Sequence, residues 1–267
     1  MRLKKIHPIA LSILFLPVIL SAFNHSFYVG PKHGYRRIHF NNPGKLDGFM
    51  TGVATGFKWS HKWFISCLKY EGYFSSPLLH GNPCQRSKIH EHMLSFLIGG
   101  RWDACEKFCF SGSFGVGFDR FLNHQDPSTA SCPKVCDDSD GLRYKYTKVF
   151  VPVHIMGSWF ATDNTTVSLC AEFRPDVFAR LDIRTKTCRG NLLCGHLNNK
   201  RSFGTRVALP IKHTLHRNDR FYVQWMPFFD WNKFGSVCAL NINGNPYSIP
   251  YLKSWDIGMQ CLFGVQF

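Results

Sequence analysis

The chain has 267 residues, a formal charge of +15, 45% hydrophobic and 15% aromatic residues, which excludes an intrinsically disordered polymer. Its 25 Phe and 22 Gly suit strands and tight turns better than helices. Past Ala22 no apolar run reaches the roughly 18 residues of a spanning helix, so a membrane could be crossed only by strands.

At the start, Arg2, Lys4 and Lys5 precede an apolar run from Ile9 to Leu20 and the small residues Ser21 and Ala22. This layout predicts an export signal over residues 1–22 and a mature domain over 23–267.

Strict two-residue alternation then organises the chain, because successive side chains of a strand leave on opposite faces. From 49 to 59 one face reads Phe49, Thr51, Val53, Thr55, Phe57, Trp59. From 107 to 120 it is Phe108, Phe110, Phe114, Val116 and Phe118 against Cys109, Ser111, Ser113, Gly115, Gly117 and Asp119. Between 167 and 182 the apolar series Val167, Leu169, Ala171, Phe173, Pro175, Val177, Ala179, Leu181 faces away from Glu172, Arg174, Asp176, Phe178, Arg180 and Asp182. Trp255, Ile257, Met259, Cys261, Phe263, Val265 and Phe267 repeat the pattern at the end. The reading predicts about ten antiparallel strands, near 27–40, 48–59, 63–75, 90–102, 107–122, 144–160, 166–182, 203–216, 220–234 and 253–267, with eight or twelve as alternatives.

The connections alternate in length. Short ones fall near 60–62, 103–106, 161–165 and 217–219, and long polar ones near 41–47, 76–89, 123–143, 183–202 and 235–252. A meander of this kind gathers its long loops at one end. The fold expected is all-β, a single up-and-down barrel.

Alternation alone leaves open whether the apolar face points inward, as in a soluble barrel, or outward to lipid. Tryptophan placement favours lipid: Trp59, Trp102 and Trp159 lie on the apolar face near the short turns, and Trp231 and Trp255 lie on it near the long loops. Two such bands are expected of an interfacial girdle. Gly52, Gly56, Gly115, Gly117, Gly258 and Gly264 share the polar face, as a crowded lumen requires.

In this orientation the lumen holds an ion-pair network of Lys69, Glu71, Arg101, Asp119, Glu172, Arg174, Asp176, Arg180, Asp182, Arg206, Lys212, Arg220, Asp230 and Asp256, with Lys32, Arg36, Lys58, Glu91, Lys107 and Lys148 also turned inward. Such a set either plugs the barrel or lines a small anion-preferring pore.

The ending, with apolar Phe263, Val265 and Phe267 alternating up to the terminal residue, resembles the assembly signal of bacterial outer-membrane barrels. With the export signal, short turns and long loops, residues 23–267 resemble the small outer-membrane β-barrels that serve as opacity proteins, adhesins and surface antigens. The resemblance implies a cell outer-membrane location, extracellular loops, periplasmic termini and insertion by the barrel assembly machinery. It implies a structural or surface-interaction role rather than an enzyme. A ten-stranded surface protease of the omptin type is the enzymatic alternative, with Asp47, His80, His124, Asp126, Asp137, Asp138, Asp140 and His196 at the rim, but no omptin motif is matched.

Eleven cysteines in an exported chain predict disulfides. Cys84, Cys132, Cys136, Cys188, Cys194 and Cys238 fall in the long loops, where Cys132–Cys136 and Cys188–Cys194 are plausible local bridges, and an odd count leaves a thiol for other cysteine-rich envelope proteins. The short paired spacings of a structural zinc site are missing, and no cofactor is expected. The basic balance suits outer-membrane lipid and lipopolysaccharide phosphate, with His90, His92, Arg184, Lys186, Arg189, Lys200 and Arg201 as candidates. No nucleic-acid motif is present.

Overall fold

The structure, a computed structural model, describes residues 24–40, 44–75, 78–80, 86–126, 143–186, 192–198, 202–215, 220–234, 240–242, 245–247 and 252–267. The proposed export signal lies outside these residues.

Ten walls form one closed antiparallel barrel: β1 (Asn24–Phe40), β2 (Gly44–His61), β3 (Phe64–Ser75), β4 (Arg86–Cys105), β5 (Phe108–Asp126), β6 (Arg143–Phe150 and Val153–Thr162), β7 (Thr165–Lys186), β8 (Phe203–Ala208 and Ile211–Thr214), β9 (Phe221–Phe234) and β10 (Leu252–Gln266). Each wall pairs with the next, and β1 pairs with β10 from Ser26↔Gln266 to Phe40↔Leu252. Among the described residues, closure leaves the barrel wall without an unpaired edge, the condition for strands to cross hydrocarbon. The two breaks, in β6 and β8, contain Pro152 and Pro210, which have no N–H to give to the ladder. Neighbouring donors bridge the gaps: Gly115 N to Pro152 O at 3.1 Å and Ser168 N to Pro210 O at 2.8 Å.

At one end, two-residue turns at Lys62–Trp63, Glu106–Lys107 and Asp163–Asn164 close hairpins. Lys62 takes a left-handed conformation there, with φ 49°. The longer links lie at the other end, with one exception to the expected pattern. The first, placed at 41–47, shrinks to residues 41–43, because the β1–β2 ladder continues to Phe40↔Gly44.

The faces are unambiguous. Leu169, Phe114 and Ile257 are 61%, 59% and 57% exposed, while Glu172 and Arg174 are 8% and 6% exposed. The apolar side of each strand forms the outer surface and the charged side the lumen. Trp59 stands opposite His25, and Trp255 opposite Arg37, twelve residues further along β1. At about 3.3 Å per residue and a tilt near 40°, that separation is roughly 30 Å, the scale of a hydrocarbon layer. Trp63, which alternation would put on the polar face, belongs to a turn and is exposed at this lower band. Trp231 and Trp255 sit directly opposite each other in the upper band.

Inside, glycines make room for rings. A Cβ on Gly56 would lie 2.3 Å from the Tyr28 hydroxyl, and one on Gly117 would lie 2.1 Å from Phe150 Cζ. Any side chain at either position would expel the aromatic ring that crosses it.

Toward the loop end the polarity inverts. Ile38, Ile89, Phe121, Tyr146 and Phe234 are buried in the lumen, and Tyr146 meets Phe234 edge-on at 4.7 Å. Lys88, His90 and Arg120 point outward from the same stretches. Several walls therefore run past the apolar belt, to Arg86 and Asp126 for example, as a soluble-style barrel with its own apolar core.

β7 also changes face partway. Val177 and Phe178 are both exposed, Ala179 is buried, and the pairing slips between Val149↔Phe178 and Phe150↔Asp176. The bulge moves Phe178, assigned to the polar face by alternation, to the outer surface and exchanges the faces of the residues that follow it.

The belt generates a direct expectation. Val116 lies between Phe110, paired with Trp102, and the outward Arg120. Val116→Arg should cost about 2–4 kcal/mol in reversible unfolding from phospholipid vesicles; an unchanged midpoint would mean that this surface does not face lipid.

Candidate functional site

The lumen is crossed at mid-height by a layer of buried ion pairs. Arg206 on β8 is its hub. Its Nη1 and Nη2 donate to Glu71 Oε1 and Oε2 at 2.5 and 2.8 Å, and its Nε and Nη2 donate to Asp230 Oδ1 and Oδ2 at 2.9 and 2.6 Å. Lys32 from β1 donates to the same Glu71. Arg174 from β7 reaches Asp230 at 2.8 Å and lies 3.6 Å from Glu172, which Lys69 approaches at 3.9 Å. Alternation along β1, β3, β7, β8 and β9 delivers all of these side chains inward at one level.

Two further clusters sit on the loop side of this chain of pairs. Arg36 grips Asp256 with two hydrogen bonds, at 2.6 and 2.5 Å, and donates to Glu91 at 2.6 Å. Lys148 lies 3.1 Å from Asp119. Tyr73 and Phe228 complete the packing: Lys32 Nζ lies 4.0 Å from the Tyr73 ring centre, and the Arg206 guanidinium lies 5.2 Å from that of Phe228.

The layer contains six cations (Lys32, Arg36, Lys69, Lys148, Arg174, Arg206) and six anions (Glu71, Glu91, Asp119, Glu172, Asp230, Asp256), so it is formally neutral. Bidentate arginine–carboxylate geometry at these distances is the strong form of the interaction. The space left among these groups is a void of about 20 Å³, room for about one water and far less than a hydrated ion needs.

Sequence and structure part at identifiable residues. Glu71, Asp119, Glu172, Arg174, Arg206, Asp230 and Asp256 lie in the layer, and Lys69 at its edge. Asp176 is half-buried at the β7 bulge and accepts from the Ser202 hydroxyl. Arg180 and Asp182, expected in the lumen, pair with each other at 2.8 Å on the outside, because the bulge has reversed the strand's faces. Arg101, Lys212 and Arg220 face inward but lie near the turn end, away from the layer. Arg101 binds its neighbour Asp103 at 2.8 Å instead. Lys107 is exposed in a turn.

Reasoning from charge alone misses Tyr73, Phe228, Asn232 and Gln260, all buried within or beside the layer. Their inward parity is the only signal that marks them.

Below the layer, toward the turns, the lumen is open. A cavity of about 710 Å³ extends from Glu71, Arg206 and Gln260 to the rim at His25 and Phe267. Cys67, Cys109 and Cys170 line it, and Cys170 Sγ lies 3.0 Å from His154 Nε2. These three, with Cys105 and Cys261, are free thiols. Cys84, Cys132, Cys136, Cys188 and Cys238 lie outside the described residues, as does the side chain of Cys194. Of the rim residues, Asp47 is paired with Arg37 at 3.4 Å on the outer face. Asp137, Asp138 and Asp140 lie outside the described residues, and so do the side chains of His80, His124, Asp126 and His196.

Because Arg206 neutralises two buried carboxylates, Arg206→Ala should destabilise the folded barrel by about 3–5 kcal/mol in denaturant titrations. A loss within about 0.5 kcal/mol would show that Glu71 and Asp230 are solvated.

No family model and no characterised protein sequence matches the chain. Among solved structures, the outer membrane protease OmpT from Escherichia coli superposes with a TM-score of 0.59 at 9% identity, over 92% of this chain and 96% of that one. The Ralstonia pickettii toluene transporter TbuX aligns at a TM-score of 0.44 and 8% identity, over 91% and 90% of the two chains. The translocator domain of the autotransporter NalP from Neisseria meningitidis gives 0.44 and 11%, over 96% and 95%. The match to OmpT at such low identity is one of architecture: this chain has the fold of a ten-stranded outer-membrane β-barrel.

Proposed function

We propose that the protein resides in the outer membrane, loops outward, and acts as a structural or interaction protein of the cell surface, of the adhesin or surface-antigen kind. The observation that carries this reading is the neutral, buried ion-pair layer that crosses the lumen, among whose groups a void of only about 20 Å³ remains. A barrel that transports nothing works through what it displays. The long links at one end, holding Cys84, Cys132, Cys136, Cys188, Cys194 and Cys238, are then the working surface, tethered by disulfides or joined to other cysteine-rich envelope proteins.

Contact with lipopolysaccharide is supported by the outer face just above the apolar belt. His92 pairs with Arg120, Arg120 with Thr147, and Thr147 with Arg180, so three basic residues share one level on β4, β5 and β7. His90 and Lys145 lie one step nearer the loops. A basic band at this level suits contact with lipid phosphates. Arg189, Lys200 and Arg201 lie outside the described residues, as do the side chains of Arg184 and Lys186. Phe263, Val265 and Phe267 share the outward face of β10, in keeping with recognition by the barrel assembly machinery.

A small anion-preferring pore is the second reading, favoured by the basic surplus below the layer. Planar-bilayer recording separates the two: the plugged barrel shows no defined open level, and a steady anion-selective level would establish the pore instead. Non-reducing gels of outer membranes should show a mobility change on reduction; identical mobility with and without reductant would remove the tethered-loop element.

A further inference from the structure

The layer is charge-balanced, but the cavity beneath it is not. Its described lining includes only two acidic side chains, Glu71 and Glu172, and both are engaged in the layer: Glu71 with Lys32 and Arg206, Glu172 with Arg174 and Lys69. Lys58 on β2 and Lys212 on β8 face the same space, and among the described residues neither has a carboxylate within ion-pair distance. Lys212 Nζ instead stands 4.2 Å from the centre of the Tyr222 ring. Arg220 adds a further cation at the rim.

The rest of the wall is mixed: hydroxyl and amide groups such as Ser113, Ser158, Ser168 and Gln224 alternate with apolar side chains. Leu97, Met156, Met226 and Leu262 supply its apolar part. The volume, about 710 Å³, is within the range of roughly 300–1,000 Å³ typical of small-molecule sites. The ion-pair layer borders one end, and the lining reaches the barrel rim at the turns. A concave, low-dielectric wall bearing one sign of charge concentrates counter-ions. Unpaired ammonium groups in such a setting are stabilised by an anion that brings its own apolar body.

We propose that this blind cavity is a binding site for a small amphipathic organic anion, a carboxylate or phosphate carried on an apolar group, entering from the turn end. The charged head lies between Lys58, Lys212 and Lys69, and the apolar part rests against the methionines and leucines. This assignment depends on the sealed lumen and not on what the loops bind. Retention beneath a seal distinguishes it from a pore, in which the same charges would only select passing ions.

The cavity contains its own reporters. Cys67, Cys109 and Cys170 line it, while Cys105 is exposed and lies outside its lining, so one chain supplies both test and reference thiols. Reduced, folded protein in uncharged micelles would be treated with a methanethiosulfonate bearing a sulfonate and, separately, one bearing a trimethylammonium group. Adducts are located by peptide mass. The anion-to-cation rate ratio at the cavity thiols should exceed that at Cys105 by roughly tenfold or more. Benzoate or phenyl phosphate should slow the cavity reactions while leaving Cys105 unaffected, and the more effective of the two identifies the head group.

Lys58→Gln with Lys212→Gln should bring the ratio close to that of Cys105 while the heat-modifiable folded band persists. Equal ratios at cavity and reference thiols in the wild-type protein, or a preference for the cation, would overturn the proposal. So would complete failure of both reagents to reach the three thiols, since an open cavity of this size admits either. If the double variant does not fold, calorimetric titration of the wild-type protein with phenyl phosphate decides: saturable binding supports the site, and none at millimolar concentration refutes it.

Discussion

Arg206 binds two carboxylates from two other strands, and the architecture follows from where such a group can exist. Its five N–H donors must be satisfied, and Glu71 and Asp230 provide four hydrogen bonds at 2.5–2.9 Å. A one-residue slip of any strand in the belt would exchange its faces, sending such charges into hydrocarbon and Leu169, Phe114 or Ile257 into the lumen. The ion pairs therefore add little net stability over an apolar filling of the same shape, but they penalise every wrong register. They also crowd the lumen, leaving among them a void with room for about one water.

Along the barrel axis the chemistry changes in three steps. Nearest the loops, the lumen is apolar and the outer surface basic, as in a soluble barrel: Ile38, Ile89 and Phe121 inside, Lys88, His90 and Arg120 outside. At mid-height the inside is ionic and neutral, and the outside is aliphatic and aromatic. Near the turns the inside is an open space with surplus positive charge. The excess of Lys and Arg over Asp and Glu is thus not spread evenly; part of it lies on the upper outer wall and part in the cavity, and the layer between carries none.

Much of this was legible in the sequence, for one physical reason. A strand in a membrane barrel has two environments that differ as strongly as hydrocarbon and water, so its alternation is clean, and Phe108–Phe118 or Trp255–Phe267 can be assigned to the outside from side-chain type alone. The same logic brings Glu71, Glu172, Arg174 and Arg206 inward. It fails where that contrast fades. Above the belt Phe121 points inward and Arg120 outward, which a search for outward apolar residues reads as the end of the strand. At the β7 bulge one extra residue reverses the faces, so Arg180 and Asp182 leave the lumen. The cavity was not legible either, since side-chain parity reveals direction and not whether neighbouring rings and chains fill the space between them.

The central claim is the orientation of the faces, and the tryptophans report on it most directly. All seven, Trp59, Trp63, Trp102, Trp159, Trp225, Trp231 and Trp255, lie in turns or on outward positions. Refolding the protein into vesicles of lipids brominated at successive acyl-chain depths, and measuring fluorescence against unbrominated vesicles, tests them together. The account predicts strong quenching, greatest for bromines near the headgroups where the two bands lie, with Trp225 responding to deeper ones, and weak quenching by aqueous iodide. Emission indifferent to brominated lipid but quenched by iodide would contradict it.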